Sequence, residues 1–305
     1  MHKALSLITI TPMSGKVLVT DLDGTLFFPK SHVRMIPKSN VEFLKKWVHD
    51  GNRIVLNSSR GEYFAKKIFK KFGIPFDFIG CDGCYVRCDD KVIKENTFEP
   101  EPFKKLLTTL KRDFNPSVFI GSSKDRPILQ AKAYNTFFGT VFYGIYMATQ
   151  LVYREPCIRS DTFFYNEIEK GNMCKMMVCV GLSRKRQRLA YHLTQVLGKQ
   201  YPEFQFFWLN QFIEITPKGC NKATGLAFYL DYLGIPKENV MVIGDSGNDI
   251  PMFDAFYEQS YCMAHSPKEV KVHAKNVISR VSDLKELLYP SADSEHPQKK
   301  GKKKR

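Results

Sequence analysis

Residues 17–26 read Val-Leu-Val-Thr-Asp-Leu-Asp-Gly-Thr-Leu, and residues 240–249 read Val-Met-Val-Ile-Gly-Asp-Ser-Gly-Asn-Asp. Each stretch is a run of strand-forming apolar residues that stops at aspartates and glycine, as a buried parallel strand does when polar residues follow its carboxyl end. Ligands of open α/β sheets bind outside those ends. If the two strands are neighbours, their carboxylates meet at one place, and a divalent cation is the usual counter-charge for such a cluster. The four carboxylates are Asp21, Asp23, Asp245 and Asp249.

The first and last parts of the chain predict an α/β fold with a doubly wound parallel sheet. Apolar strands alternate there with segments of helical periodicity, and this order favours parallel strands joined by crossover helices. The predicted elements, in chain order, are strand 17–20, a helix between Ser39 and Gly51, strand 53–57, helix 61–72, strand 76–80, helix 221–233, strand 240–243, helix 248–255 and a short strand near Tyr261.

The middle of the chain breaks this rhythm and predicts an inserted α+β domain over residues 86–212. Its predicted elements are a hairpin-like stretch around Asp89 and Asp90, helix 102–112, strand 117–121, strand 176–181, helix 184–198, and strands 204–208 and 211–215. An aromatic-rich region at 137–165 either lines a substrate pocket or, as is more usual, forms the core of the inserted domain. Its aromatic residues are Phe137, Phe138, Phe142, Tyr143, Tyr146, Phe163, Phe164 and Tyr165.

Length and charge complete the predicted organisation. A chain of 305 residues that is 43% hydrophobic is long enough for two domains. Residues 1–85 and 213–290 are predicted to form a discontinuous core, and residues 291–305 a disordered basic tail. The tail carries six basic and two acidic residues, so most of the net charge of +15 lies elsewhere. The tail is a nuclear localisation signal, a nucleic-acid-binding segment or, as most runs of charged residues are, a solvated segment without a specific partner.

The expected compartment follows from hydropathy and cysteine content. No apolar run reaches the roughly 18 residues of a membrane span, and the weakly signal-like start at Lys3–Ile10 lacks a small-residue cleavage site. The spacing of Cys81, Cys84 and Cys88 suggests a metal site, yet no fourth ligand lies nearby in the sequence. We therefore expect all eight cysteines to be reduced thiols in a cytoplasmic protein, or a nuclear one if the tail is an address.

Four separated motifs resemble the haloacid dehalogenase superfamily, and in particular its Cof-type phosphatases, which carry a large cap domain. Asp-x-Asp-Gly-Thr-Leu in the first stretch resembles the superfamily's first motif, and residues 244–252 resemble Gly-Asp-x-x-Asn-Asp-x-x-Met. Residues 79–84 read Ile-Gly-Cys-Asp-Gly-Cys where the family has a strand running into Asn-Gly-Ala. Residues 213–222 resemble Glu-Ile-x-Pro-x-Gly-x-x-Lys. The likeness covers roughly residues 15–85 and 205–290, and it implies that the inserted domain is the cap.

The resemblance implies roles for the four aspartates. Asp21 would be the nucleophile that attacks phosphorus and forms an aspartyl phosphate. Asp23 would protonate the leaving alkoxide and then deprotonate the attacking water. Mg²⁺ is the implied cofactor, with the Asp21 carboxylate, the Asp23 main-chain carbonyl and Asp245 as its ligands. Asp249 would hold metal-bound water or orient a lysine.

The resemblance also implies the residues that hold the substrate phosphate. Ser58 would donate its hydroxyl to a phosphoryl oxygen, and Asn248 would hydrogen-bond nearby. Lys222 would neutralise the nucleophile and the phosphoryl group, with Asn221 as the N-cap of its helix. Lys218 is the rival lysine, but it lies outside the matched position.

Two residues depart from the family pattern. Ser59 stands where the family has glycine in a Thr-Gly-Arg sequence, which puts a main-chain contact to the phosphate in doubt. Asp82 stands where the family usually has asparagine, at the expected hinge into the cap. The charge of Asp82 would alter either the hinge or a substrate contact, and the sequence leaves both open.

These residues indicate a Mg²⁺-dependent phosphatase that acts on a small phosphorylated metabolite such as a sugar phosphate. A large cap excludes water and bulk, so a nucleic-acid substrate is disfavoured despite the basic charge. The first alternative is a related phosphoryl-transfer enzyme, either a sugar-specific phosphatase or a phosphomutase. The second is a non-catalytic basic binding or regulatory protein on the same fold. Against the second, every residue that the chemistry needs is present.

Overall fold

The architecture comes from a computed structural model. It describes residues 15–27, 36–61, 63, 66, 69, 70, 72–116, 118–124, 128–132, 141, 157–180, 183–209 and 212–289. The predicted basic tail and the aromatic residues 137, 138, 142, 143 and 146 lie outside this set. Among the described helices, none is both long and apolar enough to cross a membrane.

The larger of two sheets is mostly parallel and has eight strands. Its strands are β1 (Val17–Thr20), β2 (Arg53–Asn57), β3 (Asp77–Gly80), β4 (Tyr85–Cys88), β5 (Lys91–Glu95), β12 (Val240–Gly244), β13 (Ser260–Met263) and β14 (Asn276–Ile278). They lie in the order β14-β13-β12-β1-β2-β3-β4-β5. The first six are parallel, whereas β4 and β5 form an antiparallel hairpin that leaves β5, with mostly exposed or half-buried residues, at the edge.

Helices pack against this sheet and bury its apolar strands. They are α1 (Lys38–His49), α5 (Lys222–Leu233), α6 (Ile250–Ala255), α7 (Lys268–Lys271) and α8 (Leu284–Leu288), and residues 63, 66, 69, 70 and 72 are also helical. Two apolar clusters form, one around Phe43 and Trp47 of α1 and the other around Tyr229 of α5. The predicted α/β core is therefore present, and residues between the strands are helical as expected.

The smaller sheet has six strands, mostly antiparallel. Its strands, in the order β10-β11-β9-β6-β7-β8, are β10 (Phe204–Leu209), β11 (Phe212–Pro217), β9 (Met173–Cys179), β6 (Val118–Ser123), β7 (Ile128–Lys132) and β8 (Cys157–Arg159). Helices α2 (Pro100–Phe114), α3 (Asp161–Glu169) and α4 (Arg184–Gln200) share one apolar core with it. Phe164 is fully buried in that core and Phe163 and Tyr165 pack against it, which favours core packing over a pocket for these aromatics.

Strand pairing differs from the predicted limits of the inserted domain. The hairpin of β4 and β5 was expected to open that domain at residue 86, but it pairs with β3 of the larger sheet. At the other limit, 212/213, β11 pairs with β9 and β10 of the smaller sheet. The division into core and cap stays a prediction. The strand pairing favours passage of the chain from the larger to the smaller sheet near residue 96, and back near residue 218.

Register explains why the two opening motifs meet. Thr20, the last residue of β1, is level with Ile243 of β12 on one side and with Leu56 of β2 on the other. The amide of Asp21 then donates to the Ile243 carbonyl at 3.0 Å. The carboxyl ends of three neighbouring strands therefore lie side by side, as the sequence predicts for β1 and β12.

Candidate active site

Three of the four predicted aspartates converge at this edge of the larger sheet. Asp21 follows β1, Asp245 follows β12, and Asp249 lies just before α6. One carboxylate oxygen from each lies within 4.8 Å of one from each of the others. All three residues are buried. Three dry carboxylates repel one another, so the site needs positive charge.

Lys222 supplies part of that charge. It is the first residue of α5, and a capping box between Asn221 and Thr224 fixes the start of the helix, as predicted for Asn221. The Lys222 ammonium is fully buried and donates to Asp21 Oδ1 at 2.7 Å and to Asp249 Oδ1 at 2.6 Å. Burial acts to lower the pKa of Lys222, but the neighbouring carboxylates outweigh it and raise that pKa above its usual value. Lys222 therefore stays charged.

The pKa of Asp21 reports how crowded the cluster is. Burial is the largest influence and raises this pKa well above its usual value. Lys222 opposes that rise, while the charges of Asp249 and Asp245 add to it. A further cation beside Asp21 would favour its ionised form.

Asp249 has both carboxylate oxygens engaged by the protein. Oδ1 accepts from Lys222, and Oδ2 accepts from the amides of Asp245 and Ser246 at 2.9 and 3.0 Å. A Cβ at Gly244 would overlap this carboxylate, so glycine permits the close approach. Asp249 is thus placed to orient Lys222 and the loop after β12.

Asp245 is oriented by a residue to which the sequence analysis gave no role. Thr25 Oγ1 donates to Asp245 Oδ1 at 3.1 Å. His265 Nε2 lies 3.5 Å from the other oxygen, Asp245 Oδ2. Thr25 belongs to the Asp-Gly-Thr motif, so the sequence could have indicated that it lies at the site. The sequence around His265 carries no motif that predicts its position beside Asp245.

The donor set fits a hard divalent cation. Carboxylate oxygens are the ligands that Mg²⁺ prefers, and it takes few of them. Asp21 and Asp245 each directly follow a strand end, and both carboxylates lie in the same buried cluster. Asp21 and Asp245 are therefore the carboxylates suited to hold a cation, with Asp249 behind them.

Asp23 lies apart from the buried cluster. Its half-buried carboxylate is gripped by Arg60, whose Nε and Nη2 donate to its two oxygens at 2.5 and 3.1 Å. Bidentate pairing of this kind is among the stronger charge-assisted contacts. The structure brings Arg60, the last residue of the Ser-Ser-Arg sequence, directly to Asp23.

Residues Ser58–Arg60 follow β2 at this edge of the sheet and are called the phosphate loop here, after their proposed role. Ser58 is buried and its Oγ accepts from the Arg60 amide at 3.2 Å, which keeps its hydroxyl hydrogen for donation. The Ser59 carbonyl accepts from Lys175 Nζ at 3.1 Å. Ser59 therefore contacts the smaller sheet through its main chain.

Asn248 and Lys218, two further candidate residues, lie in different surroundings. Asn248 donates its side-chain amide to Asp82 Oδ1 at 3.2 Å, so in this structure its amide faces the hinge residue. Lys218 has an exposed side chain, and its amide bonds to the Glu203 carbonyl. Lys222, and not Lys218, is thus the lysine that the fold brings to the aspartates.

Sequence reasoning missed a buried ion cluster beside the phosphate loop. Lys175 of β9 lies 2.6 Å from Asp82 and 2.5 Å from Glu214 of β11. A lone charged residue in each of two apolar strands, Met173–Cys179 and Phe212–Pro217, was the available signal.

The cysteines do not group as the spacing suggested. Cys81 and Cys84 pack with Cys174 and Cys220 in a buried cluster, whereas Cys88 lies beside Arg53. All eight cysteines are free thiols. Within the described residues, no three of these sulfurs come close enough together to hold one metal ion. Cys88 therefore lies outside the cluster that contains Cys81 and Cys84.

Comparison with known proteins places this site in a family. Residues 18–284 match the family model described as haloacid dehalogenase-like hydrolase. The chain belongs to this family. The match confirms the expected superfamily, its Cof-type branch and the expectation of an enzyme, and it spans both sheets of the hydrolase.

Individual relatives are distant but cover nearly the whole chain. The hydrolase is 23% identical over 272 residues to YkrA, a candidate phosphatase of Bacillus subtilis, covering 89% of this chain and 95% of that protein. Among solved structures, SMU.1108c of Streptococcus mutans matches with a TM-score of 0.74 at 20% identity, covering 91% and 100% of the two chains. The subclass IIB sugar phosphatase BT4131 matches with a TM-score of 0.69 at 20% identity, covering 90% and 98%. These structural likenesses show the fold.

Proposed function

We propose that this hydrolase is a Mg²⁺-dependent phosphatase that cleaves a small phosphorylated metabolite, a sugar phosphate being the leading class, through an aspartyl phosphate on Asp21. One observation carries the proposal: the buried Asp21 carboxylate is paired with Lys222 at the strand end where Asp245 and Asp249 also converge. That arrangement holds an anionic nucleophile next to fixed positive charge, which is what attack on an anionic phosphoryl group requires.

In the first step, an Asp21 oxygen attacks phosphorus and the bond to the substrate oxygen breaks. Lys222 holds the other oxygen of Asp21 and offsets negative charge on the phosphoryl group. The Asp21 and Asp245 carboxylates and the Asp23 main-chain carbonyl would hold Mg²⁺, which when bound supplies positive charge to the transferring phosphoryl oxygens. Asp249 keeps Lys222 in place.

Asp23 is the proposed acid and base. It gives a proton to the departing alkoxide, and afterwards it takes one from the water that hydrolyses the aspartyl phosphate. Its carboxylate is more exposed than those of Asp21, Asp245 and Asp249, as contact with a substrate oxygen and with water requires. For Asp23 to exchange protons, its ion pair with Arg60 must break. The phosphate ester of the substrate is an anion that can replace Asp23 as the partner of the Arg60 guanidinium.

The phosphate loop and two polar side chains would hold the phosphoryl oxygens. Ser58 has a hydroxyl hydrogen to donate, and Lys222 faces the same cluster. Ser59 and Asn248 are the remaining proposed contacts. In the structure both belong to the hydrogen-bond network around Lys175 and Asp82, which would fix their positions.

The small-substrate assignment rests on the contact between the two sheets. Lys175 of the smaller sheet donates to the Ser59 carbonyl of the phosphate loop, and this contact beside the site favours a small substrate over a polymer. The names of YkrA and of the sugar phosphatase BT4131 support phosphoester chemistry and a sugar phosphate as the first class to test. We place the enzyme in the cytoplasm, in keeping with its eight free thiols.

The proposal is tested by hydrolysis of an aryl phosphate with Mg²⁺ or with a chelator. Wild type should need Mg²⁺, and Asp21→Asn should lose activity by at least about 10³-fold because a neutral amide cannot form the acyl phosphate. Asp231→Asn, an exposed aspartate on α5, is the matched control and should keep wild-type activity. Wild type that hydrolyses neither the aryl ester nor a panel of sugar phosphates would contradict the proposal and favour a binding role.

A further inference from the structure

A buried ammonium joins the smaller sheet to the proposed active site. Lys175 Nζ donates to Asp82 Oδ2 at 2.6 Å, to Glu214 Oε2 at 2.5 Å and to the Ser59 carbonyl at 3.1 Å. An ammonium has three hydrogens, so these acceptors use all of them. The three charged side chains are at most 3% exposed.

Asp82 is the hub of this contact. Its Oδ2 accepts from Lys175 of the smaller sheet, and its Oδ1 accepts from Asn248 in the loop after β12. Its backbone is left-handed, with φ of 53°, a conformation that aspartate tolerates better than most residues. The same cluster thus fixes the phosphate loop through Ser59 and the second loop through Asn248.

The cluster holds two carboxyl groups for one ammonium. Asp82 Oδ2 and Glu214 Oε2 both lie against Lys175 Nζ, at 2.6 and 2.5 Å, and a hydrogen bond between these two carboxyl groups requires a proton on one of them because two carboxylates have no donor. Two carboxylates in a dry site do not both ionise readily. With one proton the cluster is neutral, and without it the cluster carries a buried negative charge.

The electrostatics assign that proton to Glu214. Burial, and then the charge of Asp82, raise the pKa of Glu214 to about 8. Burial also acts on Asp82, but Lys175 and the Glu214 hydrogen bond outweigh it and hold the pKa of Asp82 below its usual value. Lys222 also faces Asp82.

No additional charge comes from the strands beside Glu214. Its register neighbours, Phe207 of β10 and Met177 of β9, carry none. Among the described residues, Asp82 and Lys175 are the charged groups that act most on the ionisation of Glu214.

We propose that Lys175, Asp82 and Glu214 form a latch that positions the phosphate loop while one proton is shared between the two carboxyl groups, and that loses its hold when that proton leaves. The proton depends on Asp82, because asparagine at position 82 would leave a neutral Lys–Glu pair with no proton to lose. Lys175 is a positioning residue, and its effect on catalysis rests on the proposed phosphatase function.

The presence of the shared proton is tested by the pH dependence of the free energy of unfolding, a measurement that does not require enzyme activity. A group whose folded pKa is raised contributes stability in acid that is lost as pH rises toward that pKa. From pH 5 to 8, the folded-to-unfolded ratio of wild type should fall by up to about tenfold per pH unit relative to Asp82→Asn. Glu214→Gln, which mimics the protonated acid, should also lack this fall.

The exposed substitution Asp231→Asn should follow wild type. Parallel curves for wild type, Asp82→Asn and Glu214→Gln would overturn the shared proton. The window from pH 5 to 8 lies above the normal titration of Asp82 itself, so the difference between wild type and Asp82→Asn reports Glu214.

The positioning role of Lys175 is tested by comparing it with Lys124, a second lysine that joins the smaller sheet to the larger one. Lys175→Met should lower kcat/KM for an aryl phosphate by about 10- to 100-fold because Ser59 loses its anchor. Lys124→Met is the matched control, since Lys124 joins the smaller sheet to Glu95 of β5 at 3.0 Å in a more exposed pair. It should keep kcat/KM within about twofold.

The pH profile of kcat separates positioning from general destabilisation. Wild-type kcat should fall above pH 8, and Asp82→Asn should hold its value there. A folded Lys175→Met enzyme with wild-type kcat/KM would overturn the positioning role, and if that variant does not fold, the Asp82→Asn profile decides. If no variant hydrolyses phosphate esters, the proposed function fails while the unfolding comparison still decides the latch.

Discussion

Lys222 shows how one side chain balances the charge of the site. Its fully buried ammonium lies within 2.7 Å of two buried carboxylates. A buried charge that loses its partner is costly, far more so than an exposed one. Stability and catalysis therefore depend on the same residue.

Replacing Lys222 by methionine should lower the free energy of unfolding by about 3–5 kcal/mol, because Asp21 and Asp249 would be left without their cation. Chemical denaturation without Mg²⁺ measures this. The control is Lys218→Met, four residues earlier and exposed, which should change stability by no more than about 0.5 kcal/mol. Equal effects of the two substitutions would contradict the placement of Lys222.

Residue-scale prediction from sequence succeeded where a motif fixes a residue next to a strand end. Asp21 and Asp245 come together because each directly follows an apolar strand. The pair of Lys175 with Glu214 could not be found this way, since the two lie on separate strands whose pairing depends on tertiary structure. The ion pair between Arg60 and Asp23 depends on side-chain geometry, which the spacing of residues in the sequence does not predict.

The turn after β1 is the element on which the proposed cation site depends. Gly24 has a φ of 92°, and a Cβ there would overlap the Asp245 carboxylate. Gly51 has a similar φ of 82°, yet nothing lies within 4 Å of a Cβ at that position. Both glycines have a positive φ, but only a Cβ at Gly24 would meet a neighbouring side chain. Gly24 and Gly51 are therefore a matched pair for substitution.

Gly51→Ala should cost about 1–2 kcal/mol of stability from the left-handed backbone alone and leave activity unchanged. Gly24→Ala should also displace Asp245, and raise the Mg²⁺ concentration needed for half-maximal hydrolysis by at least about tenfold. Titration of activity with Mg²⁺, beside thermal unfolding of both variants, measures the two effects. A Gly24→Ala enzyme with unchanged Mg²⁺ dependence would place the cation elsewhere.

Element limits were predictable where the signal is local. The Asn221 cap fixes the start of α5 at Lys222, as expected. Strand β9 was predicted at 176–181 but runs from Met173 to Cys179, because a lysine within it is buried by ion pairing instead of ending the strand. The β4–β5 hairpin was recognised, but its partner sheet was not, since strand pairing is a long-range property.

At the scale of the whole molecule, burial of the thiols reports how the two sheets meet. Cys81 and Cys84 follow β3, Cys174 lies in β9, and Cys220 precedes α5, so this thiol cluster forms only where both sheets are in contact. Cys157 is the one partly exposed cysteine of the eight. Thiol reactivity therefore measures the assembled state.

In the native protein, an aromatic disulfide reagent should modify about one thiol quickly, at Cys157, and all eight after denaturation. Absorbance of the released thiolate counts them over time. Cys157→Ser is the control and should abolish the fast phase. Fast modification of several thiols in that variant would show that the contact between the sheets opens readily.

The hairpin that extends the larger sheet also has a consequence for self-association. An unpaired edge strand can recruit the same strand of another copy and begin aggregation. Here one edge, β5, is five residues long and reads Lys-Val-Ile-Lys-Glu, with Lys91 and Glu95 exposed, while the other edge, β14, has three residues. The charged residues of β5 and the short length of β14 make both edges of the larger sheet poor templates for pairing with another copy.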